Sequence, residues 1–285
     1  MTEARIELPR LEGVTHRFVQ AGAVELHVAE AGTGPPLLLV HGWPQHWWSW
    51  RAVIPELART HRVICPDLRG HGWSQAPRGG YAKATLAADL LALLDALGIE
   101  QVAYAGHDWG GWIGFELARL APERLSGLLA ISIPPPWFSP RRSPETALFA
   151  SYQVLLSTPV LGQAVLRNVP QFVERLIRAA TTRQEAFGPD DLRLYAEIFR
   201  DPDHAAATTA LYRTFLTREL TSGRSLKPPP GLPYSVLMGR RDPIRRAVEL
   251  RESDTVRLVE GVGHFLPEEA PDVVLEALRS GILSR

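Results

Sequence analysis

Gly106-His107-Asp108-Trp109-Gly110-Gly111 constrains this chain more tightly than any other stretch. An apolar run, Gln101–Ala105, leads into it, and a helical pattern, Trp112–Ala121, leads out. Glycines on both sides of a single residue let a strand reverse sharply into a helix, the strand–turn–helix unit written G-x-Nu-x-G. A chain with this unit has to pack a helix back onto its own strand, which points to layered α/β architecture.

Asp108 occupies the apex, where a serine usually stands. The exchange alters the chemistry. A serine hydroxyl needs a base before it can attack, whereas a carboxylate is already ionised at neutral pH. Attack by Asp108 on a saturated carbon gives an ester that water can cleave. A serine attacking the same carbon would form an ether and stay blocked. The aspartate therefore points to substitution at sp³ carbon, such as opening of an epoxide or loss of halide.

Apolar or alternating runs at Thr15–Gln20, Glu25–Ala31, Leu37–Val40, Arg62–Cys65, Gln101–Ala105, Ser126–Ile133, Tyr234–Met238 and Val256–Glu260 read as strands. Helical patterns fall at Trp48–Arg59, Thr85–Leu97, Trp112–Ala121 and Pro271–Ile282. The first two strands, separated by Gly22, form an antiparallel hairpin at one sheet edge. From Leu37 onward strands alternate with helices, so the expected fold is a mostly parallel sheet flanked by helices. The alternation stops at Pro134-Pro135-Pro136 and resumes after Pro228-Pro229-Pro230. Between the two triplets lie helix formers without an obvious strand. The expected organisation is a core of residues 1–133 and 231–285 with an inserted helical cap over 134–230.

The 285 residues, 45% of them hydrophobic, suffice for one large domain with an insertion. A formal net charge of zero gives no footprint for nucleic acid or an anionic membrane. The charged stretch Met1–Glu12 has no apolar core, and no run of about 18 apolar residues occurs, so a cytoplasmic protein is expected. Cys65, the only cysteine, rules out an internal disulfide and sits in an apolar run as a small buried hydrophobe. Only Lys83 and Lys227 are lysines.

Three further motifs follow predicted strands. His41-Gly42-Trp43-Pro44 follows Leu37–Val40, in the loop that can supply one backbone N–H of an oxyanion hole; the residue after the nucleophile, Trp109, supplies the other. Met238-Gly239-Arg240-Arg241-Asp242-Pro243 follows Tyr234–Met238, and taken alone Asp242 before Pro243 reads as a helix N-cap. Gly261-Val262-Gly263-His264-Phe265 follows Val256–Glu260 and carries a histidine in a glycine-bounded loop. Together Asp108, Asp242 and His264 fall in the order nucleophile, acid, histidine, each at the C-terminal end of a strand, so all three can converge.

On these motifs the chain resembles the α/β-hydrolase-fold epoxide hydrolases. His41-Gly42-Trp43-Pro44 and His107-Asp108-Trp109-Gly110-Gly111 are similar to that family's oxyanion and nucleophile motifs, and Phe149-Ala150-Ser151-Tyr152-Gln153 and Leu211-Tyr212-Arg213 to its two lid-tyrosine segments. Asp67-Leu68-Arg69-Gly70-His71-Gly72-Trp73-Ser74 resembles a common superfamily motif and is read as structural. The resemblance implies that Tyr152 and Tyr212, or Tyr195 in place of either, protonate the leaving alkoxide. His264, oriented by Asp242, would then activate water against the Asp108 ester. The products would be a vicinal diol and free Asp108, with no metal or organic cofactor. His107, beside the nucleophile, is expected to point away and pack in the elbow.

A haloalkane or haloacid dehalogenase would use the same Asp108, Asp242 and His264 but would need N–H donors for halide. Haloalkane dehalogenases often carry Asn where this chain has Trp43, and fluoroacetate-type enzymes carry Arg where it has Trp109. A ligand receptor on the same fold is a further reading. An esterase fits worst, because aspartate attacking an ester would form an anhydride. The expected pocket is apolar and aromatic, with Trp43, Trp109, Phe138 and Phe265 contacting a small hydrophobic epoxide. Water is the co-substrate, and a homodimer is left open.

Overall fold

The computed structural model describes residues 6–138, 144–220 and 226–284; the start of the charged N-terminal stretch lies outside them. The strands are β1 (Val14–Ala21), β2 (Val24–Ala31), β3 (Pro36–Val40), β4 (Arg62–Pro66), β5 (Val102–His107), β6 (Leu125–Ile131), β7 (Tyr234–Gly239) and β8 (Val256–Val259). They form one sheet in the order β1-β2-β4-β3-β5-β6-β7-β8. The hairpin β1–β2 is antiparallel and sits at the edge, β2 meets β4 antiparallel, and every later pairing is parallel. The expected α/β sheet is thus present, with strand ends within two or three residues of the apolar runs.

The helices are α1 (Ile54–Leu57), α2 (Lys83–Ala96), α3 (Trp109–Leu120), α4 (Pro144–Ser157), α5 (Leu161–Asn168), α6 (Pro170–Ala180), α7 (Pro189–Glu197), α8 (Pro202–Thr214), α9 (Pro243–Arg246), α10 (Leu266–Glu269) and α11 (Pro271–Ser280). A π-helical turn, Phe215–Glu219, continues α8. The helix expected over Trp48–Arg59 is broken instead. A 3₁₀ turn covers Trp47–Trp50 and α1 restarts at Ile54. Pro55 has no N–H to continue an upstream helix and is tolerated only in a first turn. Among the described residues, no helix is long and apolar enough to cross a membrane.

Both faces of the sheet are covered, which explains the continuous apolar runs. Side chains alternate along each strand, so Leu38, Val40, Tyr104 and Leu128 pack with α2 and α3 on one face. Leu37, Leu39, Ala105 and Leu129 pack on the other with Trp47, Trp50, α1 and α11. Cys65 is buried in this second core. Parallel strands point their C-terminal ends the same way, so the loops after β3, β5, β7 and β8 gather along one rim. Between β6 and β7 the described elements are the helices α4–α8.

Candidate active site

Asp108 joins β5 to α3 with φ 50° and ψ −121°, a conformation that non-glycine residues rarely adopt. The neighbouring glycines make it possible. A Cβ on Gly106 would lie 2.3 Å from the Gly110 carbonyl carbon, and one on Gly110 would lie 2.2 Å from the Val40 carbonyl oxygen. The elbow is pinned from both sides: Asp108 N–H donates to the Ile131 carbonyl at 2.9 Å, and the Tyr104 hydroxyl donates to the Gly110 carbonyl at 2.6 Å.

The Asp108 carboxylate accepts the backbone N–H of Trp43, 3.0 Å from Oδ2, and the Trp109 N–H lies close enough to stabilise its charge. Trp43 is held in place by the loop after β3. The His41 Nε2 accepts the Leu68 N–H at 3.0 Å, so the ring proton is on Nδ1, which donates to the Gly42 carbonyl at 2.9 Å. Burial pushes the Asp108 carboxyl up to about 6, against the opposing pull of His264 and the two N–H donors.

Asp108 Oδ1 faces His264 Nε2 at 3.9 Å. The other ring nitrogen of His264 is 3.0 Å from Asp242 Oδ2. Asp242 divides its oxygens. Oδ1 accepts the Ile244 N–H at 2.7 Å and caps α9, and Oδ2 holds the imidazole. Both readings of Asp242 from sequence thus describe the same residue. Burial lowers the His264 pKa, but the charge and hydrogen bond of Asp242, with the charges of Asp108 and Glu269, outweigh it and raise it to about 9.

The His264 loop is built from contacts that sequence reading missed. His107, buried as expected, donates from Nε2 to the His264 carbonyl at 2.9 Å, so it supports the loop as well as packing in the elbow. Glu269 collects four backbone N–H groups: Gly263 at 3.0 Å, Phe265 at 3.1 Å, Thr182 at 2.8 Å and Arg183 at 2.9 Å. His264 N–H in turn donates to the Ala180 carbonyl at 2.9 Å. Two donors to Glu269 belong to the His264 loop and two to the chain after α6. Nothing in sequence periodicity marks such a residue. The only local signal is a second acid straight after Pro267-Glu268 at a helix start.

Above Asp108 lies a cavity of about 430 Å³, lined by Trp43, Asp108, Tyr152, Ile177, Asp242, His264 and Phe265 among others. Its lining is largely apolar, and its polar and charged side chains are Asp108, Ser151, Tyr152, Asp242, Arg246 and His264. Tyr152, from α4, lies nearly parallel to Trp43 with ring centroids 6.3 Å apart. Tyr212, from α8, is buried with its ring edge-on to Tyr152 at 6.0 Å and to Trp43 at 5.5 Å. The two phenols share a hydrogen bond, and burial raises both pKa values, so both stay protonated at neutral pH.

Other expected residues lie elsewhere. Tyr195 donates to Glu268 at 2.9 Å and packs on His46 and Phe187, so it replaces neither tyrosine. Phe138 packs against the hydrophobic core and is not among the described residues lining the cavity. Neither Trp109 nor Tyr212 is among those lining residues; the Trp109 ring is covered by Lys83 and edge-on to Phe215 and Tyr212. The polar backbone of Trp109 reaches the site while its indole turns into the core. Asp67, in the motif read as structural, is a buried hub that accepts from His27, Trp47 N–H and Trp73 N–H. Among the described residues no three His, Cys, Asp or Glu side chains converge to hold a metal ion.

The family described as alpha/beta hydrolase fold matches residues 35–271. The soluble epoxide hydrolase of Corynebacterium sp. (strain C12) is 30% identical over 272 residues, 92% of this chain and 95% of that one. A fluoroacetate dehalogenase of Burkholderia sp. is 31% identical over 211 residues, 71% of this chain and 69% of that one. The solved structure of epoxide hydrolase CorEH without ligand superposes with a TM-score of 0.82 at 28% identity, covering 95% of this chain and 99% of that one. The chain is a hydrolase of the α/β-hydrolase-fold epoxide hydrolase family.

Proposed function

We propose that this protein hydrolyses a hydrophobic epoxide to a vicinal diol through an ester on Asp108. The observation that carries the reading is the division of the Asp108 carboxylate. One oxygen is held by the Trp43 N–H, and the other faces His264 in a cavity lined by the protonated Tyr152 phenol, to which the Tyr212 phenol is hydrogen-bonded.

In the first step the Oδ1 of Asp108 forms a bond to one epoxide carbon as the C–O bond breaks. The departing alkoxide takes a proton from Tyr152 or Tyr212. General-acid assistance of this kind is worth roughly 10²–10⁴-fold. Water is the co-substrate of the second step. His264 removes its proton while its oxygen bonds to the ester carbonyl carbon, and the negative charge that develops on the carbonyl oxygen meets the N–H groups of Trp43 and Trp109. Collapse releases the diol, the proton held by His264 returns to the leaving oxygen, and the second proton of the water, left on the Asp108 carboxyl, returns to the tyrosinate. Asp242 keeps the imidazole oriented and stabilises its charged form. The helices α4–α8 act in this reading as a cap that supplies the phenols and the apolar roof.

The similarity to a fluoroacetate dehalogenase gives the second reading its weight. Halide release needs N–H donors facing the cavity, and the Trp109 indole, turned under Lys83, is not one of its lining groups. The protonated Tyr152 phenol in the cavity suits an alkoxide instead.

A single turnover in ¹⁸O-water tests the proposal. The label should appear in Asp108, because water attacks the ester carbonyl. A labelled diol with unlabelled Asp108 would rule out the covalent route, and halide release from a matched haloalkane without epoxide turnover would favour the dehalogenase.

A further inference from the structure

Lys83 is fully buried, and the chemistry above does not use it. An ammonium removed from water is costly unless charge and hydrogen bonds compensate, so its partners are informative. Its Nζ is 2.9 Å from Glu219 Oε2 and donates to the Leu211 carbonyl at 3.4 Å. It also sits 4.1 Å above the centroid of the Trp109 ring and 4.9 Å from that of Phe215. Glu219 uses its other oxygen to accept the Lys83 backbone N–H at 2.7 Å. That contact completes the first turn of α2, whose N-cap, Ala82, has no side-chain acceptor.

Two of these contacts adjoin residues of the proposed chemistry. Trp109 follows Asp108 and lends it a backbone N–H. Leu211 precedes Tyr212 on α8. The Trp109 ring is itself edge-on to Tyr212 at 5.8 Å. One ammonium thus ties the start of α2, the start of α3 and the end of α8 together directly behind the elbow.

We propose that Lys83, held by Glu219, is a positioning residue that fixes the Tyr212 phenol relative to Asp108. The inference rests on the reading of Tyr212 as a proton donor. Methionine at position 83 fills similar space and still packs on Trp109, but it cannot donate to the Leu211 carbonyl or pair with Glu219. A shift of about 1 Å in a reacting group can lower a rate roughly 10²-fold, and only the step that uses Tyr212 should feel it.

The test is rapid-quench single turnover of an aryl epoxide by the wild type, Lys83→Met, Lys83→Met/Glu219→Leu, Tyr212→Phe and Lys83→Met/Tyr212→Phe. The double variant removes both charges together, which a buried ion pair commonly tolerates, and its circular dichroism checks that α2 forms without the Glu219 acceptor. Formation of the Asp108 ester should slow roughly 10²-fold in Lys83→Met and in Lys83→Met/Glu219→Leu, with the rate of ester hydrolysis unchanged. In the Tyr212→Phe background Lys83→Met should add nothing, since both act through one phenol. Equal slowing of both steps, additivity with Tyr212→Phe, or wild-type ester formation would overturn the inference. A wild type that forms no ester overturns the epoxide reading instead. The crystal structure of Lys83→Met/Glu219→Leu then decides this one: a Tyr212 hydroxyl displaced from Asp108 supports it, and one in its wild-type place overturns it.

Discussion

His264 Nε2 stands 3.9 Å from Asp108 Oδ1, close enough for each charge to feel the other and too far for a hydrogen bond. The pair starts at neutral pH as carboxylate and imidazolium, because Asp108 titrates at about 6 and His264 at about 9. In the proposed reaction, alkylation of Asp108 changes this. An ester on Asp108 carries no charge, so one of the interactions that raise the histidine pKa disappears, and the imidazole becomes easier to deprotonate when a base is needed.

The pH dependence follows in sign. Below about 6 the Asp108 carboxyl is protonated and cannot attack, so ester formation should rise with pH through that value and then level off. Ester hydrolysis needs neutral His264, and its rate should rise with pH to a midpoint below about 9. Rapid-quench measurement of both rates across about pH 5 to 9 checks the order of the two midpoints.

His264→Gln should stop the reaction at the ester. Intact mass after exposure to an aryl epoxide should show one adduct of the full epoxide mass, absent from Asp108→Asn. Adduct on both variants would mean alkylation elsewhere, and the nucleophile assignment would fail.

The buried tyrosines should separate by function. Tyr212→Phe removes the hydroxyl that bonds to Tyr152 and, in the proposed reaction, should slow ester formation by roughly 10²-fold or more. Tyr195→Phe removes a hydrogen bond to Glu268, away from the cavity, and should cost about 1 kcal/mol of stability while leaving the rate of ester formation intact. Thermal unfolding with single-turnover kinetics on both variants decides it.

Gly42→Ala should disable the site without unfolding the protein. A Cβ there would lie 2.4 Å from the Asp108 Cβ and 2.5 Å from Oδ2, so the carboxylate must leave its N–H donors. Loss of one such donor costs on the order of 10²–10³ in rate. A native circular dichroism spectrum with wild-type turnover would show that Asp108 does not need this contact.

The strands, the elbow and the order of Asp108, Asp242 and His264 were legible because their signals are local: continuous or alternating apolar runs, and glycines within two residues of Asp108 and His264. What escaped is non-local or depends on side-chain direction. Lys83 and Glu219 are 136 residues apart, and no spacing rule pairs them. Trp109 was expected in the pocket, yet its indole packs between Lys83, Phe215 and Tyr212 and is not among the described lining residues. The break in Trp48–Arg59 had a local cause in Pro55 that helical spacing of tryptophans obscured.

Glu269 also bears on how such enzymes can be recombined. Its carboxylate is filled by N–H groups from two distant stretches, Gly263 with Phe265 and Thr182 with Arg183. A chimera that imports a foreign segment between β6 and β7 will keep a working histidine only if the graft presents two backbone donors at the same spot. Segment exchange among relatives is therefore limited less by the fit of the pocket than by the register of one short stretch after α6.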